Sequence, residues 1–83
     1  MRVTKQGKNM RDLAKEAYEK IGVSETGWMR PDPSKGETLA VFQTVALVAD
    51  SMQRDGLILI RSIHKESMSG KSMIDAIQFT RLR

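Results

Sequence analysis

The chain has 83 residues, no cysteine, and 14 lysines and arginines against 10 aspartates and glutamates, for a net charge of +4. That length leaves room for one domain, residues 1–83, with a small core, and the missing thiols exclude a disulfide scaffold or a thiolate metal site. No apolar run approaches the ~20 residues needed to cross a bilayer, and no basic-then-apolar leader opens the chain, so the expectation is a soluble cytoplasmic protein with no membrane partner.

The charge is uneven. Residues 1–20 hold six cations against three anions, residues 61–83 hold five against two, and residues 21–60 hold three against five. A positive excess at both ends favours anionic partners, nucleic acid first. Ordinary solubility charge is the competing explanation.

Residues 1–8 have no apolar periodicity and read as a loose basic arm, with Arg2, Lys5 and Lys8 able to lie along phosphates. A helix is expected over 10–21, capped by Asn9. Met10, Leu13, Ala14, Ala17, Tyr18 and Ile21 form its apolar stripe, and Gly22 its stop. Residues 23–33 are broken by Pro31 and Pro33 and read as irregular, with at most one helical turn at Ser24 to Gly27. Trp28 and Met29 are expected to fold back onto the core as a plug.

A long helix follows, over 36–54. Ser34 and Glu37 have capping-box spacing. Val41, Val45, Val48 and Met52 line up along it, beside Leu39, Phe42, Ala46 and Ala49, an apolar arc of about half the circumference. Val45 is the expected centre of the core. The polar strip holds Gln43, Thr44, Asp50, Ser51 and Arg54. Asp55-Gly56 ends the helix. Leu57 to Ile60 is too short an apolar run for a helix and reads as a strand, 57–64. Residues 65–71 supply a flexible polar tip, and a second strand returns over 72–81. The fold class is therefore α+β: two main helices packed on a C-terminal antiparallel β-hairpin, since a hairpin alone is unstable in water.

Catalytic motifs fail on inspection. Gly70-Lys71-Ser72 mimics the end of a phosphate-binding loop, but Lys65 stands where that loop needs glycine, and a strand pattern follows where it needs a helix. His64 is the only histidine and has no second histidine or cysteine to share a metal. It reads as solvent-facing. No nucleophile or paired carboxylate stands at a recognisable spacing. No enzyme, metal or cofactor is expected. Of the six methionines, Met68 at the tip is expected to be exposed.

The stretch Val45-Ala-Leu-Val-Ala-Asp-Ser-Met-Gln-Arg-Asp-Gly-Leu-Ile58, with the hairpin to Thr80, resembles the recognition helix and wing of winged helix-turn-helix domains of the MarR-like kind. The resemblance covers about half the chain. It implies a winged-helix-like DNA-binding module, of the sort found in transcriptional regulators, with double-stranded DNA as partner. It further implies that Gln43, Thr44, Ser51 and Arg54 face bases or phosphates while Lys65 and Lys71 act from the wing. The alternative is a non-enzymatic protein–protein interaction module or small homodimer, which needs an exposed apolar patch where DNA binding needs a basic one.

Overall fold

The computed structural model describes residues 12–83. The elements are α1 (Leu13–Lys20), β1 (Thr26–Met29), a short 3-10 turn (Pro33–Lys35), α2 (Leu39–Arg54), β2 (Ile58–Lys65) and β3 (Ile74–Arg81). The three strands form one antiparallel sheet in the order β1-β3-β2, and both helices pack against it. The α+β class and the pairing of the two C-terminal strands stand as expected. The third strand was not expected.

Strand β1 stands in the middle of the segment read as irregular. Thr26 to Met29 pair with Thr80 to Ile77 of β3. The Trp28 plug is overturned: Met29 is fully buried, whereas Trp28 is on the opposite face and 39% exposed. Alternation along a strand forbids burying both. Gly27 suits this place, because a Cβ there would crowd Ile21 Cγ2 at 3.3 Å and touch Phe79 Cε1 at 3.7 Å. Its absence lets Ile21 and Phe79 close over the strand.

The helix starts also shift. The expected cap at Asn9 lies outside the described residues; within them α1 begins at Leu13, where the Asp12 carboxylate accepts from Lys15 N at 3.1 Å. The Ser34–Glu37 capping box does not form. Thr38 caps α2 by accepting from Val41 N at 3.1 Å. Ser34 instead donates to Asp32 within the 3-10 turn, and Glu37 Oε1 accepts from Asp32 N at 2.6 Å. The far end follows the expectation. Gly56 sits at φ +78°, its N–H donates to Gln53 O, and Leu57 N donates to Met52 O. This is the paired closure in which glycine alone is unstrained.

The core is Leu13, Ala14, Met29, Phe42, Ala49, Ile58, Ile77 and Phe79. Val45 is not its centre; it packs at the margin, partly buried, while Phe42 and Ala49 are fully buried. The helix is rotated so that the Phe42–Ala49 line meets the sheet and the Val41–Val45–Val48 line turns toward α1. Gln43 fixes this rotation. Its Oε1 accepts from Ile74 N at 3.1 Å and its Nε2 donates to Ile74 O at 2.7 Å, tying α2 to the start of β3.

At the other end of the sheet, Arg81 donates to Ile21 O at 2.7 Å and stacks its guanidinium 4.3 Å from the Tyr18 ring. The Tyr18 hydroxyl donates to Arg83 O. Tyr18 thus serves as a core-edge residue that holds α1 against β3.

Candidate nucleic-acid interface

The hairpin tip is built on one carboxylate. Glu66 follows directly on β2, is only 8% exposed, and collects four donors from the loop that follows. Ser69 Oγ donates at 2.7 Å, Ser69 N at 2.8 Å, Met73 N at 2.9 Å and Met68 N at 3.1 Å. Glu66 N in turn donates to Met73 O at 2.9 Å. These bonds, first the Ser69 hydroxyl and then the backbone N–H groups, hold the carboxyl at about 2, well below its ordinary value of 4.5. Residues 66–73 are a closed loop wrapped on a charge, with more internal bonds than a polar tip needs. The signal was present in the sequence as a carboxylate followed at three residues by a serine, a spacing that lets one side chain accept from several successive backbone donors.

Lys65 and Lys71 flank this loop and are both exposed, as is Met68 at 94%. Lys71 N donates to Ser69 Oγ at 3.1 Å, so its backbone is part of the same bonded unit. The tip thus presents two ammonium groups from a fixed base.

The polar strip of α2 is less available than its sequence suggests. Both ends of the Gln43 amide are committed to Ile74 and Leu39. Thr44 Oγ1 donates to Val41 O at 2.5 Å, within its own helix. Arg54 lies 3.1 Å from Asp50 in an i,i+4 pair, both well exposed, an arrangement worth little to stability but one that weakens the local positive field. Ser51 is exposed. Between these polar residues stand Leu47, 71% exposed, and Val48, 46% exposed. Arg2, Lys5 and Lys8 lie outside the described residues.

The charge is divided more sharply than the thirds of the sequence show. Residues 12–83 carry ten cations and ten anions. The whole excess of +4 therefore comes from Arg2, Lys5, Lys8 and Arg11. A globule without net charge relies on local clusters to attract phosphate.

His64 is exposed, as expected, yet it is not alone: its Nδ1 lies 2.5 Å from Asp75 Oδ1. Among the described residues no three histidines, cysteines or carboxylates gather as a metal would require, and no helix is long and apolar enough to cross a membrane. Comparison of the chain with protein-family models, with curated proteins and with solved structures gave no match.

Proposed function

We propose that the chain is a non-enzymatic, winged-helix-like DNA-binding module of the kind used in transcriptional regulation, acting in the cytoplasm. The observation that supports this best is the chain path. A helix, a short strand, a long helix and a hairpin build a sheet of order β1-β3-β2. This sets α2 beside a hairpin whose closed tip carries Lys65 and Lys71. In this reading the tip is the wing and contacts phosphates, the basic N-terminal residues Arg2, Lys5 and Lys8 add to it, and Thr44, Ser51 and Arg54 lie on the exposed side of α2. Gln43 drops out of the contact set because its amide is engaged inside the fold.

The test is a titration of double-stranded DNA at several salt concentrations. Each phosphate that the protein neutralises adds about 0.9 to the steepness of log affinity against log salt. The double variant Lys65→Ala/Lys71→Ala is therefore expected to flatten that slope by about two. Its melting temperature should stay close to that of the parent, because both ammonium groups are exposed. No binding of the parent chain at low salt would end the reading. A full slope in the double variant would move the DNA-binding surface to the arm.

A second reading rests on a different observation. Leu47 and Val48 stand exposed side by side on α2, at 71% and 46%, and supply the open apolar surface that a protein partner needs. In this reading α2 packs against a protein partner or a second copy of the chain. Sedimentation that shows a monomer at all concentrations, unchanged by Leu47→Asp, would remove the homodimer.

A further inference from the structure

The outer face of the sheet holds a groove that neither reading uses. Residues opposite one another in register share a face. Trp28 stands opposite Gln78, Thr26 opposite Thr80, and His64 opposite Ala76. The buried β3 residues Ile77 and Phe79 lie on the other face, and at the β1 edge Trp28 and Arg30 also border Ala17 and Lys20 of α1. Near the end of the outer face lies an open cavity of about 470 Å³ lined by Trp28, Arg30, Pro31, His64, Asp75 and Ala76.

The chemistry of the lining is specific. The Trp28 indole is 39% exposed and offers an aromatic surface that the core does not need. Arg30 holds its guanidinium 4.4 Å from the centre of that ring. This is within the range of a cation–π contact, and the guanidinium edge keeps its donors for an anion. Asp75 binds His64 through Nδ1 at 2.5 Å, which fixes the imidazole and leaves Nε2 to hydrogen-bond a ligand. Arg30 is the one guanidinium in the lining, and the Asp75 carboxylate is bonded to His64. The groove therefore combines a flat apolar surface, a polar ring atom and a single fork-shaped cation, with one carboxylate held at the imidazole.

We propose that this groove binds a nucleobase together with its phosphate, the base stacking on Trp28 and the phosphate meeting Arg30, whether the unit comes from a free nucleotide or from a single strand. A duplex cannot offer such a unit without unstacking a base, so the groove is distinct from the tip in what it takes. Stacking of this kind tolerates every base, because each has a π-face.

Trp28 is the only tryptophan of the chain, so its emission reports the groove directly. The whole chain is titrated with single-stranded oligothymidylate, with thymidine monophosphate and with a blunt duplex. The expected result is saturable quenching by the oligonucleotide. Trp28→Phe keeps the binding, followed by anisotropy of a labelled strand, and Trp28→Leu weakens it about fivefold or more. Arg30→Ala weakens binding of both thymidylate probes. Equal affinity for the monophosphate and the oligonucleotide identifies a free nucleotide as the ligand; a strong preference for the oligonucleotide identifies a strand. The proposal is overturned if neither quenches, or if Trp28→Leu, shown folded by circular dichroism, binds as the parent does. The duplex arm keeps the two readings apart. Duplex binding without quenching by thymidylate removes the groove alone, and the reverse removes the tip alone.

Discussion

Phe42→Ala is expected to lower stability by about 3–5 kcal/mol, the usual cost of emptying a fully buried phenyl position. Phe42 has no exposed surface and stands in the same cluster as Met29, Ala49, Ile58 and Phe79. These neighbours sit on strands and a helix that hydrogen bonds already hold in place, so the space left by the ring closes only in part. A small domain commonly has about 5–15 kcal/mol in hand. A thermal melt followed by circular dichroism should accordingly move down by roughly 4–8 °C for each kcal/mol of destabilisation. Leu47→Ala, on the same helix and 71% exposed, is the control and should stay within about 0.5 kcal/mol of the parent. Equal shifts for the two would mean that α2 is rotated away from the orientation described.

Acid is expected to open the chain at the hairpin loop first. The bonds that gather on Glu66 hold its carboxyl at about 2 rather than 4.5. A depressed carboxyl stabilises the fold fully above its unfolded value, because there the charged form exists in both states and only the native one rewards it. As pH falls from about 4.5 toward 2 the unfolded chain takes up the proton first, and the contribution drains away across that window. Hydrogen exchange should show the amides of Met68, Ser69 and Met73 losing protection between these pH values while the amides of Phe79 and Ile77 keep theirs. Glu66→Gln should abolish this pH dependence and show the weaker loop at neutral pH. Its amide nitrogen is a donor facing other donors, so the full set of bonds cannot re-form. Unchanged protection of the three amides from neutral pH down to 2 would refute this role.

What the sequence revealed divides by distance along the chain. The glycine stop at Gly56 was legible because its bonds reach back only to Met52 and Gln53. The β2–β3 hairpin was legible for a similar reason, two apolar runs joined by turn residues. Strand β1 was not. It is four residues long, carries glycine and lies between a turn and two prolines, and its pairing partners are some fifty residues away. Missing β1 also misplaced the centre of the core. Half of α2 is apolar, so its sequence fits a rotation about Val45 as well as one about Phe42, and the choice falls to the sheet surface that Met29 completes. The N-cap was misplaced in the same way, since the Ser34–Glu37 spacing fits a capping box when read locally. Thr38 caps the helix because Glu37 is drawn back to Asp32 N.

The candidate site shows the same division. Lys65, Lys71 and Met68 were correctly placed on the exposed hairpin tip, because a polar segment between two strands has nowhere else to go. Gln43 looked free because the Ile74 peptide that engages it is 31 residues away. The groove at Trp28 went unread because it joins three separate parts of the chain, and no local pattern announces it.

The Gln53 side chain, whose Oε1 accepts from Ile60 N at 2.7 Å, bears on the order of events as the chain folds. β2 lies at the edge of the sheet, and an open edge invites the strand of another molecule. The contact spans only seven residues, so it can close as soon as α2 has formed and the chain has turned at Gly56. The β3 partner must wait for the Glu66 loop to close. Closing a short loop costs less chain entropy than closing a long one, which favours this contact early, and it covers one backbone donor of the edge. Arg61 and Lys65, both exposed on the same strand, repel a second copy in the meantime. A chain that folds in this order meets other copies with that edge already partly shielded.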